Sequence, residues 1–371
     1  MDGKVEDGGT VDVRTFRGRW IGRGFINENS SLVVRLLTAH SEDINEDFFR
    51  RRLQSAIAYR QRVMGNETAY RVVYGEADFL PGLIVDRYQD VLVVQTLALG
   101  MDRHKAMLAD LLTGLLQPAG IYERNDSTVR RLEGLPAQVG WLRLAPAGTA
   151  LRGEADALVE IREHTARFLV DVARGQKTGF FLDQRENRLA TAAAARSAEV
   201  FDAFCYTGGF AIQAARAGAR RVTAIDISAE AVDLARRNAD LNGVADRCSF
   251  SVGNAFDELR RLAAEGARYD VVILDPPAFA KSKEALPRAI AGYKEINLRA
   301  LKLLRSGGML VSCSCSYHMS EPLLLQVVAS AAADAHRSLR LMESRGQARD
   351  HPVHPAMPET RYLTCLMLGV V

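Results

Sequence analysis

The sequence predicts an α/β protein whose second half is a parallel sheet covered by helices. Three observations predict it. After about Glu163, short apolar runs alternate with helical segments, the pattern of a sheet buried on both faces. Residues 1–43 instead read as short strands separated by Gly, Asn and Ser. Between the two, residues 70–161 mix strands with a single helix. The 371 residues allow two to three domains, placed here at 1–65, 66–165 and 166–371.

Taken in order, Thr10–Arg14, Trp20–Phe25 and Leu32–Thr38 read as strands, and Asn45–Met64 as a helix with Phe48, Phe49, Leu53 and Ile57 on its apolar face. The Arg50–Arg52 run on that helix reads as a solvated face. Strands follow at Arg71–Tyr74, Leu83–Asp86 and Val91–Thr96, then a helix at Arg103–Leu116 and a strand at Gly120–Glu123. The small and polar run Gly148–Asp156 breaks the pattern. The alternating half starts with an apolar run at Phe168–Val172. It continues through strands Glu199–Phe204, Arg221–Ile227, Ser249–Val252, Asp270–Leu274 and Met309–Cys313. Helices Arg185–Arg196, Phe210–Ala217, Ala229–Asn242, Asp257–Glu265, Tyr293–Leu304 and Pro322–Ala335 separate them, and Arg361–Val371 reads as a last strand.

Hydrophobic residues at 48% and charged residues at 25% exclude disorder and low-complexity architectures. The longest stretch without a charged residue, Ser306–Ser320, has 15 residues, short of the roughly 18 of a membrane span. The opening MDGKVEDGG has no apolar core, so no secretory leader is expected. Five scattered cysteines describe no disulfide framework, and a reducing cytoplasm is the expected compartment. A net charge of +3 diagnoses no nucleic-acid binder. The base is mostly arginine, 41 against seven lysines; its planar fork suits phosphates and stacked bases, though a lineage bias gives the same composition.

Candidate chemistry gathers at successive strand ends. In FDAFCYTGGF, a buried strand enters a helix through Gly208 and Gly209, which lets backbone approach a ligand at the helix amides. Asp226 ends the next strand, 18 residues beyond Gly208, where a ribose takes its hydrogen bonds. The dinucleotide glycine pattern G-x-G-x-x-G is absent. A third strand end supplies Asn254, and a fourth Asp275-Pro276-Pro277. The prolines stiffen the turn and leave their carbonyls free to accept from an exocyclic amine. Phe279 can stack on a base or belong to the core; Lys281 and Lys283 can reach phosphates or stay solvated. The fifth end, VSCSCSYH, offers Cys315 as a nucleophile with Cys313 as its buried neighbour. The other readings are two packed hydrophobes and half of a zinc site that lacks a second ligand pair. Finally, QKTGFFLDQRENR sets Lys177, Asp183, Gln184 and Arg185 around Phe180-Phe181, as in a lid over a zwitterionic ligand. Its plain alternative is a helix start capped by Asp183.

The runs GEADFLPGLIVDRY, KTGFFLDQR, FCYTGGF, DPPAF, GYKEIN, SCS and DHPV, spread from Gly75 to Val353, resemble class I S-adenosylmethionine-dependent methyltransferases. More closely, they resemble the bacterial large-subunit rRNA cytosine-C5 methyltransferases that carry an N-terminal PUA RNA-binding domain. The resemblance implies a Rossmann-like methyltransferase domain, a mixed α+β central domain and a small β-rich PUA-like domain. That last domain is expected to be incomplete, because the chain opens midway through its counterpart. The cofactor implied is S-adenosyl-L-methionine, held by Thr207, Gly208, Gly209, Asp226, Ile227, Asn254, Ala255, Asp275 and Pro276, with Lys177, Asp183 and Arg185. Asn254 stands where an acidic residue is common, and its carbonyl can accept the adenine amino hydrogen. The catalytic pair implied is Cys315 and Asp275, with Pro276, Pro277, Phe279 and Lys281 on the substrate and no metal. The partner implied is large-subunit rRNA, without a membrane, and a homodimer is left open. The alternatives are an exocyclic-amine N-methyltransferase built on Asp275-Pro276-Pro277 and a non-catalytic rRNA-binding assembly factor.

Overall fold

A computed structural model describes residues 6–144, 157–280 and 282–371. They divide into two compact units, one drawn from Met1–His164, Val170–Asp183 and Arg349–Thr360, the other from Thr165–Leu169, Gln184–Ala348 and Arg361–Val371. Among the described residues no helix is long and apolar enough to cross a membrane.

The first unit opens with a three-stranded antiparallel sheet, β1 (Thr10–Arg14), β2 (Trp20–Ile26) and β3 (Val34–Thr38). Helix α1 (Glu46–Met64) follows, started by Asn45, whose side chain accepts from the Phe48 amide at 3.0 Å. A five-stranded sheet then forms from β4 (Ala69–Tyr74), β5 (Leu83–Tyr88), β6 (Val91–Thr96), β7 (Gly120–Asn125) and β8 (Gln138–Leu144), in that order. Strands β6 and β7 run parallel; α2 (Leu99–Arg103) and α3 (Lys105–Leu116) lie between them in sequence. The helix expected at Arg103–Leu116 is α3, and a further short helix, α2, precedes it across His104. The apolar core joins Phe25 and Leu37 of the small sheet to Phe48, Phe49 and Leu53 of α1 and to Val85, Leu92 and Leu112. Beyond β9 (Leu158–Glu163) comes β10 (Ala166–Asp171). The apolar run Phe168–Val172, expected to open the parallel sheet, belongs instead to a separate two-stranded sheet. A two-residue connection, His164-Thr165, closes a hairpin, and local apolarity marks a buried strand without choosing its neighbour.

The second unit holds a seven-stranded sheet between helices. Its elements are α4 (Arg185–Ala194), β11 (Glu199–Asp202), α5 (Gly209–Arg216), β12 (Arg221–Asp226), α6 (Ala229–Leu241), β13 (Cys248–Val252) and α7 (Ala255–Ala264). They continue with β14 (Tyr269–Leu274), α8 (Leu286–Leu303), β15 (Leu304–Ser314), α9 (Glu321–Asp334), β16 (Leu339–Arg345) and β17 (Thr364–Val370). The strand order is β13-β12-β11-β14-β15-β17-β16. The first five are parallel, and β17 runs antiparallel to both neighbours. The order reverses between β11 and β14, where open α/β sheets leave a crevice at the carboxyl ends. Phe201, Val272, Leu274 and Leu310 of the sheet pack on Leu259, Tyr293, Ile296 and Leu324 of the helices. Burial of each such side chain is worth roughly 1.5–3 kcal/mol.

One packing constraint runs against helix propensity. Alanine is favoured over glycine inside a helix by about 1 kcal/mol, but a Cβ on Gly100 of α2 would stand 2.1 Å from Phe25 Cγ. Gly100→Ala is therefore expected to destabilise the protein by about 1–3 kcal/mol, read as a lower urea midpoint; an unchanged or raised midpoint contradicts this packing.

Candidate active site at the carboxyl ends of the parallel strands

Strand β11 ends in Asp202, and the chain then folds into a tight turn. Ala203 N donates to Ile273 O and Cys205 N to Ile225 O, which ties the turn to both neighbouring strands. Gly208 has φ +88°, a left-handed conformation that favours glycine, and a Cβ there would meet Ile212 Cδ1 at 2.9 Å. The α5 amides begin one residue later. Among the described residues the Thr207 hydroxyl beside them is buried without a hydrogen-bond partner, and the buried Asp202 carboxylate oxygens accept no hydrogen bond of ordinary geometry, with only the Phe204 and Ala211 amides turned toward them. Burial, then the charges of Asp275 and Asp226, push the Asp202 carboxyl up to about 8. The Phe204 and Ala211 amides pull it down without offsetting that. Orphaned buried polar atoms beside a glycine turn are what a polar, cationic ligand would satisfy.

At the end of β12, Asp226 Oδ2 accepts from Tyr206 N at 2.8 Å and Oδ1 from Ser228 N at 3.0 Å. The carboxylate thus braces the glycine turn. Ile227 comes next and is 73% exposed, an apolar surface beside that acid. Asn254 caps α7, its Oδ1 accepting from Phe256 N at 2.9 Å. One lone pair of the carbonyl expected to meet adenine is thereby committed to the helix, and the other remains. Ala255 is buried at the start of that helix.

Strands β14 and β15 run side by side, with Leu274 opposite Ser312. The Asp275-Pro276-Pro277 turn and Cys315 leave them together, and the Cys315 thiol points to Pro276 O at 3.9 Å. The serines flanking Cys315 are anchored. Tyr293 on α8 donates to Ser314 Oγ at 2.9 Å, and Ser316 donates to Ala280 O at 2.5 Å. Cys315 is the part-exposed thiol at this end of the sheet. Its neighbour Cys313 is buried opposite Cys365; the Cys365 thiol and burial push it well above the usual thiol range. Burial does the same to Cys205 and lifts Cys248, at the start of β13, to about 12. Among the described residues no group of three or more His, Cys, Asp or Glu could hold a metal.

The remaining expected residues fall elsewhere. Phe279 packs its ring 4.7 Å from Tyr293 and 5.8 Å from Phe256, at the edge of the core. Lys281 lies outside the described residues. Lys177 and Asp183 belong to the first unit and pair with each other at 2.7 Å; the ammonium also sits 4.5 Å from the centre of the Phe181 ring. Asp183 is not the helix cap, because α4 begins after a 3-10 turn with Gln184 at its cap position. Arg185 is buried on α4. Sequence reasoning missed Tyr293 and Asn187, and gave Gln184 no role of its own. Asn187 donates to Gln184 Oε1 at 2.6 Å, and Gln184 donates to Asp275 Oδ1 at 2.9 Å. No local signal marks that link, since Gln184 and Asp275 lie 91 residues apart.

A family model of S-adenosylmethionine-dependent methyltransferases matches residues 135–358, and a PUA-like domain model matches residues 1–39. The chain is 42% identical to ribosomal RNA large subunit methyltransferase I of Shewanella denitrificans, across 99% of this chain and 92% of that protein. It is 39% identical to the Klebsiella pneumoniae protein of the same name, across 98% and 90%. A solved structure from Streptococcus mutans, described as a SAM-dependent methyltransferase, superposes with a TM-score of 0.82 at 19% identity, across 100% and 93%.

The raised Asp202 carboxyl has a consequence for stability. Its folded value of about 8 lies above the unfolded value near 3.9. Its contribution is therefore complete below about pH 4 and is lost as pH rises to about 8. Asp202→Asn removes that titration. The stability difference, variant minus parent, should grow by about 1.4 kcal/mol per pH unit across that window in urea titrations; a flat difference contradicts it.

Proposed function

The chain belongs to the S-adenosylmethionine-dependent methyltransferases, in the family of ribosomal RNA large subunit methyltransferase I, and from that premise we propose that it forms 5-methylcytosine in large-subunit rRNA through Cys315. The observation that carries the reading is the Cys315 thiol facing the Asp275-Pro276-Pro277 turn across two adjacent strand ends. A methyl transfer to an amine needs no cysteine there.

S-adenosylmethionine supplies an electrophilic sulfonium methyl when bound. The residues that would hold it are Thr207, Gly208 and Gly209 at the turn, Asp226 at the ribose, and Ile227, Asn254 and Ala255 around the adenine. The orphaned Asp202 and Thr207 oxygens fit its charged and polar end. Lys177, Asp183 and Arg185 complete the proposed cofactor set. Cytosine C5 is too weak a nucleophile to take that methyl unaided. Cys315, as thiolate, adds to C6; a C–S bond forms and the C5–C6 electron pair becomes available at C5. Asp275 stabilises the charge that reaches N3 by donating a proton or hydrogen bond, and the Pro276 carbonyl accepts from the N4 amine. After C5 takes the methyl, a base removes the C5 proton, the electron pair re-forms the C5–C6 double bond, and the C–S bond breaks. Pro277, Phe279 and Lys281 are the proposed remaining base contacts. The target base must leave its stack to be reached.

A basic hairpin supports RNA as the partner of the proposed N-terminal module at residues 1–65. The β1–β2 turn presents a fully exposed Phe16 between Arg14, Arg17 and Arg19. Arg14 and Arg23 lie 5.4 and 5.9 Å from the centre of the Trp20 ring. Among the described residues Arg17 and Arg19 have no carboxylate partner. Aromatic stacking beside uncommitted arginines is how single-stranded RNA is held. Replacing Arg17 and Arg19 by Ala should weaken RNA binding and flatten its log K against log salt slope by about 1.4, as read by filter binding. An unchanged slope removes the hairpin from the RNA interface.

Cys315→Ala should abolish 5-methylcytosine formation in rRNA, measured by nucleoside mass spectrometry, while calorimetric affinity for S-adenosylmethionine stays within about twofold of the parent. Normal turnover by that variant defeats the covalent reading and favours amine methylation; absence of cofactor binding in the parent favours an assembly factor.

A further inference from the structure

The loop that follows Cys315 carries two rings where turns ordinarily carry none. Ser316 O accepts from Met319 N at 3.0 Å, so residues 316–319 form a β-turn with Tyr317 and His318 at its corner. Gly, Pro, Asn, Asp and Ser usually occupy such corners. Both shoulders of the turn are fixed. Ser316 is buried and donates to Ala280 O at 2.5 Å, and Met319 is buried in the apolar core. The corner itself stands clear: Tyr317 is 47% exposed, and its ring meets that of His318 edge to face, with centroids 5.6 Å apart. Among the described residues neither side chain makes a hydrogen bond. The turn is held by its shoulders and does not need the rings.

We propose that the Tyr317–His318 corner is a stacking platform for the nucleotide next to the target base in single-stranded RNA. Its place fits that use. Tyr317 follows Cys315 by two residues, at most about 7 Å of chain, and the Cys315 thiol marks the crevice at Pro276. A base that leaves its stack for such a crevice leaves its neighbour with a bare face, and a tyrosine ring covers that face whatever the base. A turn fixed at both shoulders loses little freedom in doing so. Electrostatics select a base over a phosphate. The Glu284 carboxyl, held below its usual range first by the Ser282 hydroxyl and then by its own amide, is also drawn down by the His318 imidazole. A carboxylate beside the corner repels a phosphate and leaves the uncharged face of a base as the fitting occupant. That the platform serves the methylated base rests on the reading of Cys315 given above; that it holds RNA by a ring does not.

Binding is read by fluorescence anisotropy in the full-length enzyme, with a labelled, unstructured oligoribonucleotide of uridines around a central cytosine. Tyr317→Ala should weaken that binding about fivefold or more. The slope of log K against log salt should not change, because stacking releases no counterion. Tyr317→Phe keeps the ring and should restore the parental affinity. In transfer of tritiated methyl groups from S-adenosylmethionine to rRNA, the KM for RNA should rise in Tyr317→Ala by a similar factor. Calorimetric affinity for S-adenosylmethionine should stay that of the parent, which a distorted crevice would not allow. RNA affinity and KM within about twofold of the parent in Tyr317→Ala overturn the platform. So does a Phe variant as weak as the Ala variant, and so does a flattened salt slope, the mark of a lost phosphate contact. Should Tyr317→Ala fail to fold, Tyr317→Leu, bulky but not aromatic, decides. Counting tritium does not depend on which atom is methylated, so its outcome is separate from that of Cys315→Ala, which reports on the cytosine reading.

Discussion

Parallel strands that stop side by side bring the residues at their ends together, and at three ends of the seven-stranded sheet those residues are acidic. Asp202 closes β11, Asp226 closes β12, and Asp275 comes directly after β14. Three carboxyls converge where the strand order reverses. Their mutual repulsion and burial are unfavourable in isolation. The fold divides the problem among them. Asp226 is committed to the backbone amides of Tyr206 and Ser228, Asp275 receives a side-chain amide, and among the described residues Asp202 has no more than the weak approach of the Phe204 and Ala211 amides. That residual cost sits at the turn where the methyl donor of this family would bring positive charge.

The opposite arrangement governs the cysteine loop. A side chain on a loose loop would sample many orientations, and order must come from somewhere. Here it comes from neighbours of low reactivity. Ser314 is held by Tyr293 from helix α8, and Ser316 by the Ala280 carbonyl beyond the Pro-Pro turn. The two hydroxyls clamp the chain on either side of Cys315 and leave its thiol facing Pro276. A serine on each side of the cysteine therefore has a mechanical meaning, which SCS does not disclose as three letters.

The alternation of apolar runs with helical segments was enough to place most elements of the second unit, because buried parallel strands are short, apolar and bounded by turns. Strand β16 escaped notice for the complementary reason. It is an edge strand, largely exposed and carrying Arg340, Glu343 and Arg345, so it has no apolar pattern to read. Helix α8 begins at Leu286, well before the expected Tyr293, because Pro287 in its first turn and Gly292 within it look like breakers. The first position of a helix tolerates proline. In the candidate site, residues whose place is set by a strand end could be located from the sequence: Gly208, Asp226, Asp275 and Cys315. Residues held by a distant partner could not. Arg345 reaches Asn187 across 158 positions, and nothing in either neighbourhood announces the other. The exchange of Asp183 from helix cap to partner of Lys177 has the same origin, since both roles suit an acid just before a helix.

The sheet order has a consequence for how the molecule is made. Strand β15, which leads into the cysteine loop, pairs on one side with β17, and β17 also supplies the inner edge for β16. Residues 364–370 leave the ribosome after every other strand of this sheet. Until they arrive, β15 has an open edge and β16 has no strand to join, so a nascent chain carries an unfinished sheet. The emergence of this strand, and not that of the cysteine, sets the moment at which the sheet can close. A chain truncated by even this short segment would keep Asp202, Asp226, Asp275 and Cys315 and still present a sticky border to chaperones and to its own copies.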